Sequence, residues 1–303
     1  MRHFPKISFF PLITGLGYGF TEGDDIKRKV IQQTMIFLYR KGLKSSESVI
    51  FQNPDDEKLF YKLKIISSSQ SSYIVNGSGV DLGLYPFSPL PNKPIFLMLS
   101  RLLIDKGVRE YVEAARIVKA QFPKVIFQLA GRLDSNPSSI SSKELELWIN
   151  EGFIKYLGEL SSVQKSITNC RFYVLPSYRE GTPRSVLEAM ATGRPIITTD
   201  VPGCRETVIH GKNGLLVAPK NSKSLANAMI QLLKETDDKR YLIELKGLIR
   251  FQAINEIKSE NKYREFKVDF SQFEHDLDDK KEELKFTDLE LIFKDLKSLF
   301  KKR

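Results

Sequence analysis

The chain alternates short apolar runs with amphipathic stretches, most sharply between residues 95 and 235. Ile95–Ser100, Val125–Ala130, Phe153–Leu157, Phe172–Leu175 and Pro195–Thr199 are apolar runs of strand length. Val108–Phe122 instead has helical periodicity, with Val112, Ala115, Ile117 and Val118 turned inward. Further helical segments are read near 142–150, 161–168, 184–192 and 222–234. Apolar strands separated by helices predict an α/β unit, a parallel sheet with helices on both faces. Ligands of such sheets bind outside the carboxyl ends of the strands. The loops at 100–107, 131–135, 158–162 and 176–184 each follow a strand, so they are expected to converge on one crevice.

A shorter alternating segment comes first. Ile26–Leu43 reads as a helix, Ser48–Gln52 as a strand, Asp55–Leu63 as a helix with an Asn53-Pro54 start, and Ser72–Asn76 as a strand. Ahead of these, Ile7–Leu16 reads as a buried strand running into the glycine-rich turn Thr14–Gly19. It is preferred to a signal peptide because Pro11 interrupts it and no small-x-small cleavage site follows. No apolar run approaches the ~20 residues that span a bilayer. Pro86, Pro89, Pro91 and Pro94 mark a linker. The chain therefore divides into a first domain (residues 1–85), a second (86–236) and a charged helical tail (237–303) that closes on an amphipathic helix, Asp288–Lys302. A doubly wound domain normally takes more than ~100 residues, so the first is expected to be incomplete.

Two charged constellations fall on the predicted loops. In Ser100-Arg-Leu-Leu-Ile-Asp-Lys-Gly107, Arg101 and Lys106 flank a turn between a strand and a helix, where two cations suit a diphosphate. The plain alternative is a surface loop with two solvated charges. In Tyr178-Arg-Glu-Gly-Thr-Pro-Arg-Ser-Val-Leu-Glu-Ala-Met-Ala191, seven residues separate Glu180 from Glu188. Gly181 and Pro183 put Glu180 on a loop, while Glu188 falls in Ser185–Thr192, read as a helix ending at Gly193. The start of that helix favours an anion. A nucleotide-sugar, with hydroxyls at both ends and phosphate between, suits the pair. A glycosidase asks for carboxylates roughly 5–9.5 Å apart, whereas eight helical residues rise ~12 Å. Two separate contacts on one long ligand therefore fit better. For an isolated pair, a cap and a helix-surface charge would be the simpler account.

Charge and composition narrow the partners. A net charge of +10, from 47 basic and 37 acidic residues, points to an anionic partner or to a lysine-rich solvated surface. Zinc-finger spacings and aromatic-rich basic motifs are missing from the sequence, so nucleic acid is not an expected partner. Cys170 and Cys204 have no metal-type spacing, and a reducing cytoplasm is the natural compartment. His3, His210 and His275 are scattered, which suggests neither a metal site nor a Ser-His-Asp triad. Gly15-Leu-Gly-Tyr-Gly19 and Gly77-Ser-Gly79 do not complete a dinucleotide fingerprint. Asp276-Leu-Asp278, in a run of charges, reads as a solvated helix face. The helix Ile26–Lys44 joins basic ends to an apolar body. It suits either an anionic membrane surface or packing on its own sheet.

The segment Tyr178–Ala191, its continuation through Thr192–Thr207 and His210–Val217, the loop Ser100–Gly107 and the strand-loop Gln128–Arg132 resemble family-4 retaining glycosyltransferases of the GT-B fold. The motifs run in the family's order over roughly residues 72–235. Ile13–Phe20, with Thr182-Pro-Arg-Ser185, is similar to the branch that transfers N-acetylhexosamine-type sugars from a UDP-sugar to undecaprenyl-diphosphate-linked acceptors. The resemblance implies a Rossmann-like C-terminal domain, complete, and an N-terminal one, partial, with no strand and glycine-rich loop ahead of Thr14. It implies that Arg101 and Lys106 hold the donor diphosphate, that Glu180 meets sugar hydroxyls, and that Glu188 holds the ribose. Backbone N–H groups around Gly181, Thr182, Pro183 and Arg184 would meet phosphate, and Gly131 and Leu160 would flank the base. No metal or other cofactor is implied, and front-face displacement needs no protein nucleophile. The expected function is sugar transfer with retention in surface-polysaccharide assembly, peripheral to the cytoplasmic membrane face. The rival is a non-catalytic chain that at most binds a nucleotide-sugar.

Overall fold

The computed structural model describes residues 8–20, 26–136 and 138–234. The described residues fall in one compact unit that holds two parallel sheets. The smaller has the order β1 (Leu12–Ile13), β2 (Ser48–Phe51), β3 (Ser71–Ile74). Helices α1 (Ile26–Leu43) and α2 (Pro54–Lys62) connect its strands. The larger sheet is built from β4 (Ile95–Leu99), β5 (Ile126–Ala130), β6 (Lys155–Tyr156), β7 (Phe172–Leu175), β8 (Ile196–Thr199) and β9 (Gly214–Val217). Its order is β6-β5-β4-β7-β8-β9, with every pairing parallel. Its helices are α3 (Val108–Gln121), α4 (Ser142–Asn150), α5 (Gln164–Asn169), α6 (Arg184–Ala191) and α7 (Ser222–Lys234).

The central strands are buried on both faces, as their unbroken apolar runs require. Phe96 on β4 sits between its register partners Phe127 and Phe172, with ring centroids 5.2 and 4.6 Å away. Tyr111 of α3 is fully buried, and its hydroxyl donates to the carbonyls of Phe96 and Gln128, both at 3.0 Å. The small sheet has a separate core in which Phe60 of α2 meets Phe51 of β2 edge-on at 5.0 Å and Tyr39 of α1 at 5.2 Å.

Helix α6 stops where the glycine predicted. Gly193 takes φ 82°, and Arg194 N–H returns to Ala189 O at 2.8 Å. Arg194 is 1% exposed, and its guanidinium donates to the carbonyls of Cys170 (3.0 Å), Thr192 (3.0 Å), Pro89 (3.2 Å) and Ser88.

Three expectations change. The Ile7–Leu16 run yields only Leu12–Ile13 as strand among its described residues, paired with Ile50 and Phe51. Phe153–Leu157 contracts to Lys155–Tyr156, since it lies at the sheet edge and pairs with β5 alone. Gly214–Val217 is a strand that its apolar pattern did not announce. Its first residue is glycine because a Cβ there would lie 2.2 Å from Ile196 O on the neighbouring strand. The predicted helix Asp288–Lys302 and the Asp276-Leu-Asp278 pattern lie outside the described residues.

Candidate functional site

The order of the large sheet reverses between β4 and β7. β5 and β6 build outward on one side, and β8 and β9 on the other. The loops leaving β4 and β7 diverge from that point, which is where open α/β sheets hold their ligands. The two loops are also locked together. Gly107 has φ 74°, and a Cβ there would lie 2.1 Å from Pro176 O, so only glycine fits under the β7 loop. Tyr178 N–H donates to Asp105 O at 2.8 Å.

This lock brings Lys106 to Glu180. The Lys106 ammonium lies 2.5 Å from Glu180 Oε1, and Ser177 Oγ donates to the same oxygen at 2.7 Å. The two side chains are 21% and 14% exposed, open enough to meet a ligand and buried enough for the charges to interact strongly. Glu180 N–H is fixed on Pro202 O at 3.0 Å. Glu188 lies on α6 and is 7% exposed, so it is no surface charge. Arg184, one turn earlier, donates to its Oε1 at 3.0 Å. Tyr85 faces it as well. Burial first, and then the Glu188 carboxylate, raise the Tyr85 hydroxyl above its usual range.

Arg101, which leaves β4 in the same loop as Lys106, pairs with Asp134 in the loop after β5, at 2.9 Å. The Asn136 N–H on Asp134 Oδ1, and then Arg101, hold the Asp134 carboxyl below its ordinary range. Gly131 is fixed by its backbone. It donates to Gly158 O at 2.9 Å, accepts from the Tyr156 hydroxyl at 2.7 Å, and leaves only 1.7 Å between a hypothetical Cβ and Ser100 O. Leu160 is half-buried in the loop after β6. The loops after β6, β5, β4 and β7 thus lie side by side, as the alternation of strands and helices predicted.

The small sheet supplies the opposite wall with the carboxyl ends of its own strands. A Cβ on Gly181 would lie 1.9 Å from Thr14 O, just after β1. After β2, Gln52 Oε1 accepts Thr182 N–H at 3.1 Å, and Gln52 O accepts the Thr182 hydroxyl at 3.2 Å. Asn53 Nδ2 donates to Gly181 O at 3.1 Å, and Asp56 pairs with Arg179. After β3, Gly77 packs on Thr182 and Leu187. Of the amides expected to meet phosphate, that of Thr182 is already engaged by Gln52, and Pro183 has none. No motif along the chain marks Gln52, Asp56, Ser177, Tyr85, Asp134 or Arg179 as neighbours of the site. Asn53 was visible only as a helix start.

Among the described residues, no group of three or more His, Cys, Asp or Glu is placed to hold a metal ion, and no helix is long and apolar enough to cross a membrane. A surface hollow of about 600 Å³, lined by Pro94, Val125 and Arg171, lies at the amino ends of β4, β5 and β7, away from the crevice.

Two parallel α/β sheets facing each other by their strand carboxyl ends across a crevice are the GT-B arrangement of glycosyltransferases. Residues 86–246 match the family described as glycosyl transferases group 1, and the chain belongs to that family. Among curated relatives it is similar to N,N'-diacetylbacillosaminyl-diphospho-undecaprenol α-1,3-N-acetylgalactosaminyltransferase of Campylobacter jejuni, 32% identical over 75% of this chain and 61% of that protein. It is also similar to UDP-Gal:α-D-GlcNAc-diphosphoundecaprenol α-1,3-galactosyltransferase of Escherichia coli, 23% identical over 77% of this chain and 62% of that one. The chain thus spans about three-fifths of these relatives' lengths. Sucrose-phosphate synthase from Thermosynechococcus elongatus superposes with a TM-score of 0.69 at 25% identity, over 84% of this chain and 65% of that one.

Proposed function

We propose that the protein transfers a sugar from a UDP-linked donor to an undecaprenyl-diphosphate-linked acceptor, with retention of configuration, in assembling a cell-surface glycan. The observation that carries this reading is the Lys106–Glu180–Ser177 cluster at the sheet's switch point, inside the segment that matches the family. The Campylobacter and Escherichia relatives, named for diphosphoundecaprenol acceptors, favour that acceptor class.

An acceptor hydroxyl attacks the anomeric carbon on the face from which the diphosphate departs. The carbon–oxygen bond to the diphosphate breaks, UDP leaves with the bonding pair, and the hydroxyl proton passes to the leaving phosphate oxygen. Lys106 is placed to neutralise charge as it develops on the diphosphate, a contribution usually worth about 10²–10³ in rate. Glu180, fixed on Lys106 and Ser177, offers its other carboxylate oxygen to sugar hydroxyls. Glu188 accepts from the ribose hydroxyls, and Arg101 exchanges Asp134 for a phosphate oxygen.

A lipid-linked acceptor calls for a membrane surface. Helix α1 exposes Ile26, Val30, Phe37 and Leu38, and stacks the Lys41 ammonium over the Phe37 ring at 4.5 Å. The helix contains no acidic residue, so it suits peripheral contact with an anionic inner leaflet.

Purified protein incubated with UDP-N-acetylgalactosamine, UDP-galactose or UDP-N-acetylglucosamine and an undecaprenyl-diphosphate-linked sugar tests the reading. One donor is expected to extend the acceptor by a single residue, with the donor's anomeric configuration and no inhibition by EDTA. UDP binding with neither transfer nor donor hydrolysis refutes it in favour of a chain that only binds nucleotide. Flotation with phosphatidylglycerol vesicles, but not with phosphatidylcholine vesicles, is expected of the membrane contact.

A further inference from the structure

The loop carrying Glu180 is anchored from the small sheet by buried polar groups. Gln52 is 4% exposed, and Asn53 and Asp56 are fully buried. Gln52 grips Thr182 through both the side-chain oxygen and the main-chain carbonyl. Asn53 serves two elements at once. Its Oδ1 caps α2 by accepting Asp56 N–H at 2.8 Å, while its Nδ2 donates to Gly181 O at 3.1 Å and lies 3.4 Å from Glu180 O. Arg179 then reaches the buried Asp56 carboxylate, and Arg205 reaches Asp55 at 2.9 Å. The result is a hydrogen-bonded clamp on residues 179–182 made by the carboxyl end of β2 and the first turn of α2.

Burial explains why so many polar groups gather here. The Gly181 carbonyl is buried and the Thr182 amide partly so, and each takes a protein partner. These partners lie opposite the Lys106–Glu180 pair, and Thr14 O closes over Gly181. The loop is therefore gripped on one side by the large sheet, through Lys106, Ser177 and Pro202, and on the other by Gln52 and Asn53.

We propose that Gln52 and Asn53 are positioning residues for the transfer step, holding the 180–182 loop so that Glu180 stays on Lys106 and faces the donor sugar. This rests on the glycosyltransferase reading above. The misplacement of a catalytic group by ~1 Å is enough to cost about 10²-fold in rate.

The test uses the full chain and three variants. Gln52→Met keeps the side chain's shape and removes the acceptor. Gln52→Glu restores an acceptor. Asn53→Ser keeps a good α2 cap and removes the donor to Gly181. Transfer is measured with the active UDP-sugar and lipid acceptor, UDP affinity by calorimetry, and Thr182 amide protection by hydrogen exchange. Gln52→Met and Asn53→Ser are expected to lose kcat by tenfold or more with the Kd for UDP within threefold, and Gln52→Glu to recover much of it. Thr182 exchange should accelerate in Gln52→Met. If Gln52→Met does not fold, Asn53→Ser decides the kinetic outcome. Folded variants with wild-type kcat overturn the proposal, as does a loss of UDP affinity that matches the loss of kcat. A wild-type chain that transfers nothing refutes the proposed function instead, and Thr182 exchange in Gln52→Met still decides the clamp, where an unchanged rate overturns it.

Discussion

Replacing Lys106 by Met removes the ammonium from Glu180 while keeping most of the apolar stem. An exposed ion pair is worth about 0–1 kcal/mol, and breaking a fully buried one costs about 3–5 kcal/mol. At 21% and 14% side-chain exposure the pair lies between these limits, nearer the buried one. Ser177 Oγ still donates to Glu180 Oε1 in the variant and lowers the cost. We therefore expect Lys106→Met to lose about 2 kcal/mol, and Lys106→Met with Glu180→Gln to show a coupling of about 1–2 kcal/mol, within the range for contacting residues. With a urea m-value of about 2–3 kcal/mol/M, the single variant should unfold at a midpoint lower by about 0.7–1 M. Its kcat/KM for donor should fall by about 10²–10³. Urea titrations of the wild type, two single variants and the double variant measure the coupling. A coupling below about 0.3 kcal/mol would show that the pair does not act as a unit, and the account of how Glu180 is held would then be wrong.

Other consequences are open to direct measurement. Glu188→Gln should weaken UDP binding about tenfold to hundredfold, as loss of a charged hydrogen-bond acceptor predicts, and titration calorimetry reads this; unchanged affinity would remove Glu188 from the donor site. Gly131→Ala should fail to yield stable protein, because its Cβ would meet Ser100 O at 1.7 Å, whereas Gly211→Ala, with nothing within 4 Å, should lose only about 1–2 kcal/mol from its positive φ; equal melting temperatures for the two variants would contradict this. Cys170 and Cys204 are fully buried, and burial pushes both thiols from 9.0 to about 12. Neither should react with a thiol reagent until the chain unfolds. Since the unfolded chain releases these protons first, stability should be undiminished by them below pH 9 and fall between pH 9 and 12, by up to about 1.4 kcal/mol per thiol per pH unit. Fast labelling of native protein at pH 8 would count against their burial.

The large sheet was legible because its strands are buried on both faces and so appear as unbroken apolar runs, such as Phe172–Leu175. The edge strands, β6 and β9, answer to one neighbour each, and their short runs carry less pattern. Glu180 and Glu188 stood out because two carboxylates flank a glycine-proline turn and a helix. The partner of Arg101 did not, since nothing along the chain ties residue 101 to residue 134. The clamp was hidden for the same reason. Asn53 shows in sequence as the cap of α2, and its second bond crosses 128 positions to Gly181.

Arg194 has a bearing on motion. Its guanidinium pins Ser88 and Pro89, and Arg171 fixes Pro91 through a bond of 2.6 Å. The proline-rich stretch between the sheets is thereby fastened to the large one and travels with it. Gly77 and Gly79, with φ of 80° and 73°, lie ahead of this fastening, and a hinge that opens the crevice is expected there. Pro89 and Pro91, although they look like a joint, are held to the large sheet.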